Sequence, residues 1–315
     1  MIRIGIIGGA GYVAGELIRI LIDHPESEII YATSNSQQDK LVSEVHTDLI
    51  GDTALDFSKD HHYDVDVIFL CGGHGNSKTF IENNPIPDNI KVIDMSADHR
   101  LDSSFVYGLP EVNKNKYGNR IANPGCYATA IQLGLIPLAA GSMLNNEVHV
   151  HAITGSTGAG QSLSYGVHYS WRAQNVSVYK PFVHQHLAEI GVTLNDLQGN
   201  SVDVNFIPMR GAFTRGIFTS MYINSELNEA EAKKIFTDFY AKEPFVHISN
   251  DSLDLKRVVN TNKCIISVQK IGDKIYINSI IDNLLKGASG QAVQNMNILF
   301  GFDEKTGLEL KSSYF

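Results

Sequence analysis

Apolar positions fall in short blocks that change period along the chain. Residues 2–8 read IRIGIIG, a continuous apolar run of strand length. The glycines of GGAG break it. Val13, Leu17, Ile20 and Leu21 then recur at helical spacing, and Pro25 in HPESE closes that helix. EIIYATS, DVDVIFLCGG and KVIDMSAD follow as further buried-strand candidates, each ending in small or polar residues. Strands that alternate with helices predict a parallel, doubly wound α/β sheet of the Rossmann kind, running from residue 1 to about residue 122.

Beyond residue 147 the period shortens. EVHVHAITG, SVDVNFIPM, GIFTSMYINS, CIISVQKI and KIYINSIID are strand-like and rich in β-branched residues. Gly272-Asp273 between 264–271 and 274–282 signals a tight hairpin. NEAEAKKIFTDFYAKE (228–243) is an amphipathic helix. These elements predict an α+β second domain on a mixed, largely antiparallel sheet. LLKGASGQAVQNMNILFGF is helical from about residue 286 and is expected to pack back on the first domain. The expected division is therefore 1–122 with 286–315 as the dinucleotide-binding domain, and 123–285 as the catalytic and dimerisation domain.

The 315 residues suit two domains. A net charge of −9 argues against nucleic acid or an anionic membrane as partner, yet leaves room for a small anionic substrate held by a local arginine. No apolar run approaches the ~20 residues of a membrane span, and MIRIGIIGGAG enters a strand without the pattern of a signal peptide. Three cysteines, at 71, 126 and 264, form no disulfide framework, which points to a reducing cytoplasm. His149 and His151 share a strand face but lack a third ligand, so no metal is expected.

Gly8-x-x-Gly11, after a strand and before a helix, has the form a dinucleotide pyrophosphate requires: a tight turn and free N–H groups at a helix start. The second strand ends in Thr33-Ser34-Asn35-Ser36, where a carboxylate would select NAD. Hydroxyls and amides there suit a 2′-phosphate. We read NADP(H), with Ser34 as the principal residue.

NPGCYATA (123–130) puts Cys126 after Pro-Gly and at the start of a helical run. Free N–H groups and the helix dipole favour a thiolate there. Cys71 and Cys264 have the setting of ordinary buried cysteines. A thiolate nucleophile needs a proton-handling partner. His186, with Glu189 one helical turn on, is the acid–base candidate, and His184 a substrate contact. The loop TGSTGAGQ (154–161) lets backbone N–H groups approach an anion or the nicotinamide. Arg100, in SADHRL, follows the fourth strand and could clamp a phosphate or carboxylate.

Taken together, GIIGGAGYVAGELIRILIDHPE, SADHRL, NPGCYATA, GSTGAGQ, HQHLAEI and KGASGQAVQNMNILFGFDEKTGLEL resemble the N-acyl-γ-glutamyl-phosphate reductases, of the aspartate-semialdehyde-dehydrogenase-like group, over the full length. The resemblance implies an NADP-dependent reductase of arginine biosynthesis. It implies Cys126 and His186 as catalytic residues. The cofactor set is Gly8, Ala10, Gly11, Tyr12, Val13, Ser34, Gly158 and Gln291, and the substrate set is Arg100, Asn123, Ser156, Thr157 and His184. A homodimer or homotetramer built on the second-domain sheet is implied as well, with a small acyl phosphate as the other partner. The chain departs from that group at NFIPMRGAF, where Met209 stands in place of a histidine, and at CGGHG, which keeps His74. A sister reductase of aspartyl or aminoadipyl phosphate would share the chemistry. A nucleotide-binding redox sensor would lack a resolving cysteine near Cys126. Were the acyl group succinyl, Arg172, Lys180, Arg210 and Arg215 are the cations to inspect.

Overall fold

The structure is a computed structural model, described for residues 1–314. The chain divides into two compact units, Met1–Pro124 with Ala288–Glu309, and Gly125–Gly287 with the segment from Leu310.

In chain order the first unit contains β1 (Ile2–Ile7), α1 (Tyr12–Ile22), β2 (Ser27–Thr33), α2 (Val42–Val45), β3 (Phe57–Ser58), β4 (Val67–Leu70), α3 (Asn76–Asn83), β5 (Lys91–Asp94), β6 (Val106–Tyr107), α4 (Pro110–Asn113) and β7 (Arg120–Ala122). The second contains α5 (Cys126–Ala140), β8 (Val148–Thr154), α6 (Tyr169–Arg172), β9 (Ser177–Val178), α7 (His186–Gln198), β10 (Val204–Arg210), β11 (Ile217–Asn224), α8 (Glu229–Phe239), β12 (Val246–Ser249), β13 (Cys264–Ile271) and β14 (Lys274–Ile281). The last helix, α9 (Ser289–Phe300), belongs to the first unit.

The first sheet has seven parallel strands in the order β3-β2-β1-β4-β5-β7-β6. The order reverses between β1 and β4, so the ligand crevice of such a sheet lies at the carboxyl ends of these two strands. Ile4, Ile6, Val67, Ile68 and Phe69 are fully buried, as central parallel strands covered on both faces require.

The second sheet is mixed, in the order β12-β13-β14-β11-β8-β10-β9. β8 and β10 run parallel, as do β12 and β13, and the other neighbours are antiparallel. The hairpin falls at the predicted place, with Ile271 paired to Lys274 across Gly272, whose φ of +60° suits glycine. Along β11 Ile217, Thr219, Met221 and Ile223 are buried and alternate with half-buried Phe218, Ser220 and Tyr222. The covered face carries α5, every residue of which from Tyr127 to Ala139 is buried.

The segment predicted to be helical from about 286 begins its helix only at Ser289. Residues 282–285 instead fold around Asp282, whose Oδ1 accepts the N–H groups of Leu284 (2.8 Å) and Leu285 (3.3 Å). The short elements α2, β3, α4, β6, α6 and β9 were not predicted, being too brief to show a period. Among the described residues no helix is long and apolar enough to cross a membrane.

Candidate active site

In the first unit the glycine turn is fixed by Thr33 at the end of β2. Its carbonyl accepts the N–H of Gly8 (3.1 Å) and of Gly9 (2.7 Å), and its hydroxyl lies 3.3 Å from the Gly8 nitrogen. Gly8 has φ +86°, and a Cβ there would lie 2.6 Å from Gly72 at the end of β4. Glycine is therefore needed where the sheet order reverses. Gly11 caps α1 with an extended backbone, and a Cβ built on it meets nothing within 4 Å. The first turn of α1 thus presents N–H groups without intrahelical partners beside open space, a cradle that fits a pyrophosphate.

Tyr12 is exposed, and Ala10 and Val13 are half-buried. The Ser34 hydroxyl accepts the Gln37 N–H at 3.2 Å, so it shapes the loop after β2. Gln291 is fully buried within α9.

The SADHR segment is organised by Asp94, fully buried at the end of β5. It accepts the Ser96 N–H and hydroxyl, both at 2.9 Å, and faces His99 Nδ1 at 2.7 Å. The turn so formed carries Arg100, whose Nε donates to the Asn123 carbonyl at 2.9 Å. The Asn123 side chain donates to the Ala288 carbonyl (3.1 Å) and accepts from Asn295 (3.0 Å). Its amide thus ties β7 to the start of α9. His74, retained in the variant CGGHG loop, accepts the Ala97 N–H at 2.9 Å and joins that loop to the SADHR turn.

In the second unit Cys126 is the first residue of α5, half-buried, with Gly125 as the extended N-cap. Glu189, buried one turn into α7, accepts the Gly125 N–H on Oε2 at 3.0 Å. Its Oε1 lies 3.9 Å from His186 Nε2. α7 packs along α5, which brings His186, the first residue of its helix, to the same end as the cysteine. His184 Nδ1 lies 3.3 Å from the His186 backbone nitrogen and accepts its N–H, so a neutral His184 carries its proton on Nε2. Burial pushes the His184 pKa down to about 4, with the Lys180 and Arg210 charges acting in the same direction. Around it stand Tyr127, Tyr179 and Phe206, all edge-on to the imidazole. The Tyr127 hydroxyl donates to the Met209 carbonyl at 2.6 Å, and the Arg210 guanidinium lies 4.6 Å from the Tyr179 ring centroid.

The other two cysteines differ. Burial, and beside it the Asp94 carboxylate, raises the Cys71 thiol far above its ordinary pKa. Cys264 is fully buried, with its sulfur 3.4 Å from the Ser279 hydroxyl.

The 154–161 loop is docked rather than loose. Ser156–Ala159 form a 3₁₀ turn in which the Ser156 N–H donates to the Phe213 carbonyl (2.8 Å) and the Thr157 hydroxyl to the Thr214 carbonyl (2.6 Å). Asn283, which the sequence reading had not singled out, donates to the Thr157 hydroxyl at 3.0 Å and accepts the Gly216 N–H at 2.7 Å. Gly158 lies against β8, where a Cβ would be 3.2 Å from the Thr154 hydroxyl.

A parallel nucleotide-binding unit with a glycine turn, joined in one chain to a mixed-sheet unit, is the layout of a nicotinamide-dependent dehydrogenase. The sequence model described as semialdehyde dehydrogenase, NAD binding domain, matches residues 3–120, and that described as semialdehyde dehydrogenase, dimerisation domain, matches residues 126–283. The chain belongs to the semialdehyde dehydrogenase family. It is 52% identical to the N-acetyl-gamma-glutamyl-phosphate reductase of Parabacteroides distasonis and 52% identical to that of Christiangramia forsetii, over the whole of each chain. Its fold is that of aspartate semialdehyde dehydrogenase II from Vibrio cholerae, with a TM-score of 0.76 at 15% identity over 96% of this chain and 99% of that one. Aspartate semialdehyde dehydrogenase with NADP from Candida albicans superposes with a TM-score of 0.69 at 14% identity, over 95% and 98% of the two chains. The protein is an oxidoreductase whose first unit binds a nicotinamide dinucleotide, and its second is a dimerisation domain.

Proposed function

We propose that the protein reduces an N-acyl-γ-glutamyl phosphate to the N-acyl-glutamate semialdehyde and phosphate, with NADPH, in arginine biosynthesis. The relatives that match it end to end carry the name of this activity. The observation that carries the chemistry is Cys126 at the start of α5, with His186 and Glu189 grouped at the same helix end.

In this reading the Cys126 thiolate attacks the acyl carbon, the bond to phosphate breaks, and a thioester forms as phosphate leaves. The free N–H groups at the start of α5 stabilise both the thiolate and the oxyanion of the tetrahedral adduct. When bound, the reduced nicotinamide supplies the hydride that converts the thioester to a thiohemiacetal. Collapse of that species returns the thiolate and releases the aldehyde, with His186 handling the proton on the substrate oxygen. Neutral His184, with a proton on Nε2, acts as a hydrogen-bond donor to substrate. Arg100 is assigned to the leaving phosphate, and Asn123, Ser156 and Thr157 to the substrate.

The cofactor residues are assigned as Gly8, Ala10, Gly11, Tyr12 and Val13 for the pyrophosphate, Ser34 for the 2′-phosphate, and Gly158 and Gln291 toward the nicotinamide. What favours NADP is the absence of a carboxylate at the end of β2, where Thr33 leads into Ser34, Asn35 and Ser36. A homodimer or homotetramer in the cytoplasm completes the reading. Eight of the seventeen exposed large hydrophobic side chains among the described residues lie between Leu163 and Val183, within the dimerisation domain. Such a concentration supports a surface that a second copy covers.

The reading is tested by phosphate- or arsenate-dependent NADP⁺ reduction with N-acetyl- and N-succinyl-glutamate γ-semialdehyde, for wild type and Cys126→Ala. Turnover of one or both aldehydes by wild type only is the expected result. No turnover of either by wild type would refute the substrate, and an active Cys126→Ala would refute the thioester.

A further inference from the structure

We propose that His46 is a positioning residue for the dinucleotide: it sets the direction of a peptide in the glycine turn and so aims a donor at the pyrophosphate. The proposal rests on the cofactor reading above and concerns the first unit alone.

His46 follows α2 and is buried to 8% exposure. Its Nε2 lies 2.8 Å from the carbonyl oxygen of Gly9, a residue 37 positions earlier in the chain. A carbonyl can only accept, so Nε2 carries the proton and donates. Three further contacts show that the chain is built around this bond. A Cβ at Gly15, on α1, would come 2.5 Å from His46 Nδ1, so the helix is notched where the imidazole passes. A Cβ at Gly9 would come 2.6 Å from the Phe57 ring, and that ring stands edge-on to His46 with centroids 6.1 Å apart. The Gly9 N–H is held from the other side by the Thr33 carbonyl at 2.7 Å.

The consequence follows from peptide geometry. In a trans peptide the C=O of one residue and the N–H of the next point in opposite directions. Anchoring the Gly9 carbonyl on His46 therefore turns the Ala10 N–H to the opposite side. Ala10 is the residue before Gly11, where the space beside the start of α1 is open. His46 thus preorganises an anion-binding N–H without touching the ligand, and the ordering is complete before the cofactor arrives.

The test uses the full chain and three substitutions. His46→Leu removes the donor. His46→Gln restores an N–H near the position of Nε2. Gly15→Ala leaves the histidine in place but puts a methyl group where its ring sits, while replacing a helical glycine by a better helix former. NADP⁺ binding is measured by calorimetry, and the melting temperature is recorded with and without cofactor. His46→Leu and Gly15→Ala are expected to raise Kd about tenfold or more, with His46→Gln close to wild type. The rate at which iodoacetamide alkylates Cys126 is expected to be unchanged in all three. An unchanged Kd in His46→Leu would overturn the proposal. So would a loss in His46→Gln equal to that in His46→Leu, which would make the role one of packing. Failure of wild type to bind NADP⁺ would instead refute the cofactor reading.

Discussion

Glu189 holds the start of the cysteine helix with one carboxylate oxygen and faces His186 with the other, at 3.0 Å from the Gly125 nitrogen and 3.9 Å from Nε2. A buried N–H that loses its acceptor costs about 1–3 kcal/mol. Glu189→Ala is therefore expected to lower stability by about that amount in urea titration. Glu189→Gln keeps an acceptor for Gly125 but removes the charge facing the imidazole. It should leave stability near wild type and lower kcat by about a hundredfold, the low end of an acid–base contribution, with little change in KM. Equal stability losses in both variants would reduce Glu189 to a helix clamp.

The His184 environment gives a pH dependence of definite sign. Its pKa in the fold is about 4, against an ordinary value of 6.5, so the unfolded chain takes up the proton first as pH falls. Stability from this residue is complete above about pH 6.5 and declines steadily toward pH 4. Burial lowers the pKa of His24 and of His247 as well, so they contribute with the same sign. His184→Asn retains an acceptor for the His186 N–H and cannot titrate. Urea midpoints followed from about pH 7 to about pH 4 should fall less steeply for this variant than for wild type. Parallel curves would show that the fold leaves the His184 pKa at its ordinary value.

Gly287 packs closely on Cys126. A Cβ there would lie 2.9 Å from the Cys126 Cβ and 2.7 Å from the Asn283 carbonyl oxygen. Backbone on one side cannot yield, so Gly287→Ala should displace the cysteine by a few tenths of an ångström or more. Misplacement of a reacting group by about 1 Å costs on the order of a hundredfold in rate. The expected result is a large drop in kcat and in the alkylation rate of Cys126, with NADP⁺ affinity retained. An alkylation rate equal to wild type would mean that the neighbouring loop absorbs the methyl group.

Local features were readable in advance, and distant partnerships were not. The glycine turn and the cysteine at the start of α5 declare themselves within a few residues, because strand, turn and helix each leave a period or a punctuation mark. Glu189 was visible as one helical turn from His186, but its bond to Gly125 spans 64 positions. The bond from His46 to Gly9 spans 37, and nothing in EVHTDL marks that histidine. The Asn123 amide bonds Ala288 and Asn295, partners that only the return of α9 supplies and that no local motif announces.

The same distinction narrows what can read the acyl group. Of the four cations near the second-unit cluster, Arg215 is committed to Asp282, with Nε and Nη2 at 3.0 and 3.2 Å from its two oxygens. Arg172 is spent on the carbonyls of Gly166, Asn175 and Arg210 and on the Ser177 hydroxyl. Both are structural, and replacing either should lower stability without a preference between substrates. Lys180 donates to the Gln185 amide oxygen at 3.2 Å, in an exposed position. Arg210 stacks on Tyr179 and keeps a buried Nε without a hydrogen-bond partner. These two are the cations able to meet a second carboxylate on the substrate. Lys180→Ala and Arg210→Met should each lower kcat/KM for the N-succinyl aldehyde relative to the N-acetyl aldehyde, by about tenfold for loss of one charged contact. If neither variant changes that ratio, the acyl group lies away from Tyr179, and the pocket must be sought among other residues of the second unit.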